Sequence, residues 1–406
     1  MKNRPSFIPA LHTTTKSEAD SAEIHPVAAS YIVTFLKPEM LHVYRQIKAL
    51  REFCPVILTQ KRENAAAFPF ENVRIVRKPI THPLRRIWQK QIFGRPITIY
   101  RSEARRLLKE LRRIKARVLH VYFGHIGVHL IPLLEICGLP VVVSFHGADG
   151  QVGLEKPIHL ERTRRMIELA TLLLVRSESL AGRLVAIGCP REKIRLHRTG
   201  LPLDTIHFQQ RTIPEDGQWE CLQACRLIEK KGLKTSLRAF AAFLKIYPRA
   251  RLTIAGEGPR KDALLSLAAE LGITEKVSFT GFLSQKELGK LFTKSHLFLH
   301  PSELGPDGDQ EGVPNSMLEA MANGIPVLAT LHGGIQEAVE HGVSGLLVAE
   351  GDDAALALAM SALAADPARY FSMSTAAAQR VEAEFNIDVQ ARTLEKIYRE
   401  AIAMAS

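Results

Sequence analysis

The sequence predicts an α/β fold of two Rossmann-like, doubly wound parallel-sheet domains that face each other across a cleft. Three observations point there. Short β-branched apolar runs alternate with helical stretches twice over, in residues 30–176 and again in 219–348. A polar stretch, Gln209-Gln-Arg-Thr-Ile-Pro-Glu-Asp-Gly217, separates the two series. A chain of 406 residues also exceeds what one hydrophobic core ordinarily organises.

In the first series the strands read Ser30–Phe35, Pro55–Thr59, Arg117–Tyr122, Leu139–Phe145 and Thr171–Arg176, with a helix from Leu41 to Phe53 after the first. In the second they read Trp219–Cys225, Arg251–Ala255, Lys276–Phe279, Leu297–His300, Pro326–Thr330 and Gly345–Val348. These runs are continuously apolar rather than alternating, as in strands covered on both faces by helices. An amphipathic helix from Val389 to Met404 closes the chain. The expected division is a flexible tail at 1–26, a first domain at 27–208, a linker at 209–217 and a second domain at 218–385. A C-terminal helix at 386–406 is expected to pack back on the first domain. Ligands of such sheets bind at the carboxyl ends of the strands, in the cleft.

Composition narrows the class. With 46% hydrophobic and 24% charged residues the chain reads as an ordinary globular protein. No apolar run approaches the roughly 20 residues of a membrane helix, and Met1-Lys-Asn-Arg-Pro5 does not open a secretory signal. Five cysteines, Cys54, Cys137, Cys189, Cys221 and Cys225, have no metal-ligand spacing and read as reduced thiols of a cytosolic protein. The net charge of +12 is concentrated: residues 81–117 hold twelve Lys or Arg against Glu103 and Glu110, so 12 − 2 = +10. Trp88, Ile92, Phe93, Ile97, Ile99 and Tyr100 are interleaved with these charges. That mixture suits an anionic membrane surface or a phosphorylated acceptor, against the alternative of a solvated helix face. No base-reading motif accompanies it, so nucleic acid is not expected.

The richest stretch is Glu311-Gly312-Val-Pro314-Asn315-Ser316-Met-Leu-Glu319-Ala-Met-Ala-Asn-Gly324. Pro314 suits a first helical position and Gly324 the left-handed residue just past a helix end. The free N–H groups around Asn315, Ser316 and Met317, at the positive end of the helix dipole, form a phosphate site. Glu311 precedes that site and Glu319 lies on the second turn. A ligand with a central diphosphate and hydroxyl-rich ends, such as a nucleotide sugar, suits this order.

Other strand ends add candidates. Arg226 and Lys231, in Arg226-Leu-Ile-Glu-Lys-Lys231-Gly232, offer a fork and a point charge to phosphates. Gly256 and Gly258, Gly333 and Gly334, and Phe282 in Thr280–Ser284 mark loops where a ligand can approach backbone. His146, in Ser144-Phe-His146-Gly147-Ala-Asp149, ends a strand at the cleft. His120, His125 and His129 read as packing or acceptor contacts rather than metal ligands, and Asp307 and Asp309 as solvated loop acids.

The string His300-Pro-Ser-Glu, then Glu311 to Val327, Gly333-Gly, Glu337 and Gly342-Val-Ser-Gly-Leu-Leu-Val348, resembles the retaining glycosyltransferases of family 4. Arg226-Leu, Lys231-Gly, Ala255-Gly-Glu-Gly-Pro259 and Gly200-Leu-Pro-Leu-Asp204 with Phe208 extend the match, which covers the second half and is thin in the first. Asp307-Gly-Asp-Gln-Glu311 and Ser144-Phe-His-Gly-Ala-Asp149 look most like the exopolysaccharide and colanic-acid branch. The resemblance implies the two-domain GT-B fold, with the acceptor on the first domain and a UDP- or GDP-linked sugar on the second. It implies that Glu311 contacts the donor sugar near its reacting carbon, that Glu319 meets the ribose, and that Arg226 and Lys231 hold the diphosphate beside Asn315 and Ser316. His146 would meet the sugar from the facing domain. The loop Phe35-Leu-Lys-Pro-Glu-Met40 lacks the glycine pair of many relatives.

Two glutamates could instead signal a glycosidase, whose carboxyls sit about 5 Å or 6.5–9.5 Å apart across one bond. Eight residues of continuous helix span roughly 12 Å, and a hydrolase has no use for a phosphate site. The expected activity is therefore hexosyl transfer with retention, without metal or cofactor, to a glycan or lipid-linked oligosaccharide. The expected location is cytoplasmic, peripheral on the inner membrane face. Transfer to a soluble acceptor and non-catalytic nucleotide-sugar binding are the alternatives.

Overall fold

The structure, a computed structural model, describes residues 25–37, 40–77, 97–146, 157–306, 308 and 310–405. Residues 81–96 of the basic segment, Gly147, Asp149, Asp307 and Asp309 lie outside the described residues. The first half supplies β1 (Val27–Tyr31), β2 (Thr34–Phe35), β3 (Cys54–Thr59), β4 (Lys61–Arg62), β5 (Val73–Ile75), β6 (Ala116–Tyr122), β7 (Val141–Ser144), β8 (Leu172–Val175) and β9 (Ile194–Leu196). Seven of them form a parallel sheet in the order β5-β3-β1-β6-β7-β8-β9, while β2 and β4 make a two-stranded ribbon. The second half supplies β10 (Glu220–Ala224), β11 (Arg251–Ala255), β12 (Val277–Gly281), β13 (Leu297–His300), β14 (Val327–Thr330) and β15 (Gly345–Val348). These form a second parallel sheet in the order β12-β11-β10-β13-β14-β15.

The described helices are α1 (Leu41–Lys48), α2 (Arg101–Arg113), α3 (Gly124–His129), α4 (Ile131–Leu134), α5 (Pro157–Leu169), α6 (Glu178–Ala186), α7 (Leu233–Leu244), α8 (Lys261–Glu270), α9 (Gln285–Lys294), α10 (Asn315–Ala322), α11 (Ile335–Ala338), α12 (Asp353–Ala364), α13 (Pro367–Phe385) and α14 (Ile387–Met404). Alternate strand residues feed opposite cores. In the second domain Cys221, Leu252, Leu297 and Leu299 pack with Phe240 and Phe243 of α7 and Met360 of α12. Their neighbours Leu222, Phe298 and Val327 pack with Met317 and Met321 of α10 and Val381 of α13. Period-two alternation between two apolar faces is why these strands read as unbroken hydrophobic runs.

Three local expectations needed correction. The predicted strand Ser30–Phe35 is split, because the Val33 carbonyl turns to accept from the Gln60 and Lys61 N–H groups and the Thr59 hydroxyl. The helix predicted to Phe53 stops at Lys48, where the Arg51 and Glu52 N–H groups donate to the buried Glu395 carboxylate, each at 2.6 Å. Strands β5 and β9 were missed: each is three residues long, lies at a sheet edge and has an arginine, Arg74 or Arg195, at its centre.

Two chain crossings join the domains. Leu201 N–H donates to Phe385 O at 2.7 Å and Ile387 N–H to Leu201 O at 2.9 Å, so the two passages are laced by backbone bonds. A Cβ on Gly200 would come within 2.7 Å of Ile387 Cα, which explains the glycine. Beyond this point α14 leaves the second domain, and Leu394, Ile397, Tyr398 and Ala401 pack among Ala28, Leu50, Phe53, Val118 and Val142 of the first. Residues 209–211 are pinned to the second domain, since Arg211 donates to the carbonyls of Phe292, Thr293 and Asn323. Truncating the fully buried Leu394 to alanine should cost about 3 kcal/mol of stability, read by urea denaturation of the whole chain. A loss under about 1 kcal/mol would mean that α14 adds little to the first domain's core.

Candidate active site at the facing strand ends

In the second sheet the strand order reverses between β10 and β13, and the crevice beyond a reversal is where ligands bind in such sheets. The β10 end carries Arg226 and the short 3₁₀ turn Glu229–Lys231, and the β13 end carries His300 and the loop to Glu311. This geometry brings Lys231 and Glu311, eighty residues apart in sequence, into one ion pair, with side-chain exposures of only 10% and 13%. Burial alone would raise the Glu311 carboxyl. The Lys231 charge, with His300 and Lys230 beside it, overcomes that and holds it down at about 2. The carboxylate is therefore anionic at neutral pH, while burial and the same lysine push His300 down to about 3, leaving its imidazole neutral.

The backbone around Glu311 is fixed from three directions. Its N–H donates to His332 Nε2 at 3.0 Å, and His332 Nδ1 lies 2.7 Å from a Glu350 carboxylate oxygen whose partner oxygen accepts from Leu304 N–H at 2.8 Å. Its carbonyl accepts from Gly334 N–H at 3.2 Å. A Cβ on Gly333 would sit 2.1 Å from that carbonyl oxygen, and one on Gly334 2.9 Å from the carbonyl carbon of Gly312, so this glycine pair serves backbone packing under the loop. Gly256 and Gly258 do the same elsewhere: side chains there would strike Cys225 O at 1.9 Å and Leu227 O at 2.4 Å. They let the β11 loop lie directly against the loop that carries Arg226. Arg226 itself is exposed, and its guanidinium has no hydrogen bond or ion pair to the described residues.

Helix α10 begins one residue later than its sequence suggests. Pro314 is the N-cap, in extended conformation with ψ of 126°, rather than the first helical residue. A proline cap offers no side-chain acceptor, and the first intrahelical bond runs from Leu318 N–H to Pro314 O. The N–H groups of Asn315, Ser316 and Met317 are thus left without an intrahelical acceptor. Ser316 contributes only its backbone there, since its hydroxyl donates to Ala224 O at 2.6 Å and ties α10 to the end of β10. Gly324 follows the helix at φ of +77°, in the left-handed region. Phe282, at the end of β12, presents a ring that is 74% exposed beside Glu257, which accepts its N–H at 3.4 Å.

The first domain faces these groups. Arg45 of α1 reaches Glu319 of α10 at 3.7 Å, a partner the sequence did not flag. Burial nevertheless keeps the Glu319 carboxyl above its ordinary value, with Arg45 only partly offsetting the shift. His146 follows β7, its Nδ1 3.2 Å from His42 Nε2 and its ring against Phe123. Burial, then the nearby Arg176 charge, holds its imidazole well below the usual range. His120 and His129 are structural: the first lies between Tyr398 and Ser144, the second 2.8 Å from Ile97 O. His125 lies beside the Phe123 ring. Among the described residues no three His, Cys, Asp or Glu side chains are grouped to hold a metal ion.

A second set of contacts closes the cleft. Glu337, in α11, accepts from the Glu178 and Ser179 N–H groups at 2.9 and 3.2 Å, and Arg198 lies 3.3 Å away. With Ser177 Oγ accepting from Leu180, all three leading N–H groups of α6 are satisfied, two of them by the opposite domain. Arg183 of α6 also donates to Gln310, immediately before Glu311. Lys230, Arg45, His300 and Glu337 are the residues that reasoning from sequence did not assign. The one local signal was His300, a polar end to an otherwise apolar buried strand.

Two family models cover most of the chain. The model described as Glycosyltransferase Family 4 matches residues 41–205, and the one described as Glycosyl transferases group 1 matches 205–380. The chain is 34% identical over 284 residues to the amylovoran biosynthesis glycosyltransferase AmsK of Erwinia amylovora, covering 70% of each. It is 34% identical over 287 residues to the putative colanic acid biosynthesis glycosyltransferase WcaL of Escherichia coli, again covering 70% of each. In fold it is similar to HepE of Anabaena, solved with UDP, at a TM-score of 0.71 and 17% identity, covering 92% of this chain and 100% of that one. Sucrose-phosphate synthase of Thermosynechococcus elongatus superposes with a TM-score of 0.71 at 18% identity, covering 94% and 100%. The two facing parallel-sheet domains are the GT-B arrangement.

The two glutamates should respond oppositely to neutralisation. Glu311, with its carboxyl depressed from 4.5 to about 2, contributes stability above pH 4.5 that is lost as pH falls toward 2. Glu311→Gln should therefore cost roughly 3 kcal/mol at pH 7 and less near pH 3. Glu319, with its carboxyl raised, costs stability at neutral pH, so Glu319→Gln should be neutral or stabilising there. Chemical denaturation of both variants at several pH values reads the contrast, and equal losses at pH 7 would contradict it. Glu337→Gln should weaken closure: small-angle scattering should show a larger radius of gyration, which an unchanged profile would refute.

Proposed function

The chain belongs to the family 4, group 1 glycosyltransferases, and we propose that it moves a hexosyl group, with retention, from a UDP- or GDP-linked sugar to a growing glycan or lipid-linked oligosaccharide. The observation that carries this reading is the buried Glu311 carboxylate, held anionic by Lys231 close to the uncapped N-terminus of α10. An anion fixed beside an array of N–H donors and cations suits a substrate that is hydroxyl-rich on one side and phosphorylated on the other. The relatives named for amylovoran and colanic acid biosynthesis support a role in exopolysaccharide or cell-envelope polysaccharide assembly. The UDP held by the structurally similar HepE supports a nucleotide-sugar donor.

In this reading the nucleoside diphosphate departs as the bond from the anomeric carbon to its phosphate oxygen breaks. Arg226, Lys231 and the N–H groups of Asn315, Ser316 and Met317 stabilise the charge that develops on that oxygen. The acceptor hydroxyl attacks the same face and gives its proton to the departing phosphate oxygen. Glu311 stabilises positive charge at the anomeric carbon and orients the sugar, with His146 reaching it from the opposite domain as a neutral hydrogen-bonding ring. Glu319 takes the ribose hydroxyls, exchanging its contact with Arg45. The exposed Phe282 and the Gly256–Gly258 loop flank the base. Positive charge comes from side chains and a helix end, so transfer proceeds without metal, and the enzyme works in the cytoplasm at the inner membrane face.

The test is nucleoside diphosphate release from a panel of UDP- and GDP-sugars with polysaccharide-repeat acceptors, the product anomer being read by NMR. Glu311→Gln and Lys231→Ala should each lower kcat at least about a hundredfold, as loss of transition-state charge stabilisation does. Full activity in Glu311→Gln would overturn the site, an inverted anomer the retaining route, and loss of activity in EDTA the metal-free route. Donor binding without transfer to any acceptor would favour a binding module.

A further inference from the structure

Strand β5 and helix α2 line a groove of about 620 Å³ at the outer edge of the first domain's sheet. Arg74 and Arg77 line it from the strand side, and Arg106, Lys109 and Arg113 from the helix. The single carboxylate among the described residues of its wall, Glu110, is 3.8 Å from Arg113, which leaves four of these cations uncompensated. None of the side chains of Arg74, Arg77, Arg106 and Lys109 has an ion pair or hydrogen bond to the described residues.

The charge continues along α2. Arg101, Arg105, Arg106, Lys109, Arg112 and Arg113 are all exposed, whereas Glu103 is buried against Gln60 and Glu110 is half-buried. A thirteen-residue helix is about 20 Å long, so this is a broad cationic face as well as a pocket. Crowding like charges on a folded surface is unfavourable by itself, and it becomes favourable only when a polyanion supplies the opposite field.

We propose that this groove and the adjoining face of α2 are a docking surface for an anionic phospholipid bilayer, with a head-group phosphate seated between the strand arginines and the helix cations. Two features favour a bilayer over nucleic acid. Among the described residues the groove has no aromatic ring in its lining on which a base would stack, and it does expose apolar surface beside the charges: Ile75 is 51% exposed on the sheet's edge strand and Val76 adjoins it. Cations beside apolar side chains on one face match a head-group layer over acyl chains. The proposal rests on the reading of the enzyme as one that works at a membrane, and it names the surface that meets it.

The test uses the full chain and vesicles of phosphatidylcholine with and without phosphatidylglycerol, in a sedimentation assay at low and physiological salt. The protein should sediment with the anionic vesicles only, and more weakly as salt rises. A triple reversal, Arg74→Glu, Arg106→Glu and Lys109→Glu, should weaken partition at least tenfold. A control reversal of three exposed lysines on the second domain, Lys245→Glu, Lys261→Glu and Lys286→Glu, should change it less than threefold. The milder Arg106→Gln with Lys109→Gln guards against misfolding and should give an intermediate loss. Absence of vesicle binding at low salt overturns the proposal, and so does an equal loss in the control, which would make net charge the cause. Binding to an oligonucleotide in preference to vesicles, or abolition of vesicle binding by millimolar inorganic phosphate alone, would assign the groove to another anion. Donor turnover with a water-soluble acceptor should survive the triple reversal, so failure of docking and failure of the transferase reading are separate results.

Discussion

The site depends on one electrostatic arrangement, a glutamate and a lysine buried together at the mouth of the second sheet. Taking either charge out of water alone costs several kcal/mol, and the pair is tolerated only because each compensates the other at contact distance. Keeping that contact requires the Glu311 loop to be rigid. The Gly333–Gly334 pair lets the β14 loop press against the Glu311 carbonyl, and the Glu350–His332 relay fixes its N–H. Gly232, at φ of +60°, is forced by Pro301 O, which a Cβ there would overlap at 1.6 Å; it thereby holds the Lys231 turn against the β13 loop. Glycines scattered through the sequence thus converge on the packing of two loops that carry opposite charges.

The domains are joined by two kinds of contact that behave differently in water. Away from the cleft the link is apolar and laced by backbone bonds: α14 is buried among the first domain's strands and Leu201 pairs with the Phe385–Ile387 passage. Across the cleft the contacts are polar: Arg45 with Glu319, Arg183 with Gln310, and Glu337 with the start of α6. Polar contacts exchange for water at small net cost, whereas exposing the α14 seam would forfeit buried apolar area. Parting the polar contacts across the cleft would therefore cost less than opening the α14 seam.

Much of this was legible in the sequence for a physical reason. Strands of a doubly covered parallel sheet are apolar on both faces, so runs such as Leu297–His300 and Gly345–Val348 announce themselves, and those two matched residue for residue. Loops at the strand ends are punctuated by glycine where backbones touch, which is why Gly256, Gly258, Gly333 and Gly334 stood out. The three-residue edge strands β5 and β9, with arginines at their centres, obey neither rule and were invisible. Long-range pairings are equally hidden. Lys231 and Glu311 were both singled out but for separate duties, since no local pattern shows that a turn and a loop eighty residues apart share a contact. Arg45 and Glu337 act across the domain boundary, where sequence carries no register at all.

The first domain's contribution to the cleft follows from a cation buried without a carboxylate. Arg176 is satisfied by Gln46 Oε1 at 2.7 Å and by the Arg198 and His197 carbonyls, and burial pulls its guanidinium down to about 10. It remains charged at neutral pH, and its field falls on the imidazoles around it. His120, His146 and His197 are each pushed well below the usual range, by burial first and by Arg176 among the charges. A protonated imidazole at His146 would set a second positive charge near Arg176, in a buried setting with little water to screen it. His146 is therefore a neutral ring that can donate one hydrogen bond and accept another, with its Nδ1 beside His42. In the proposed transfer such a ring would meet a sugar hydroxyl and leave charge stabilisation to the opposite domain, where Glu311, Lys231 and the start of α10 are placed together.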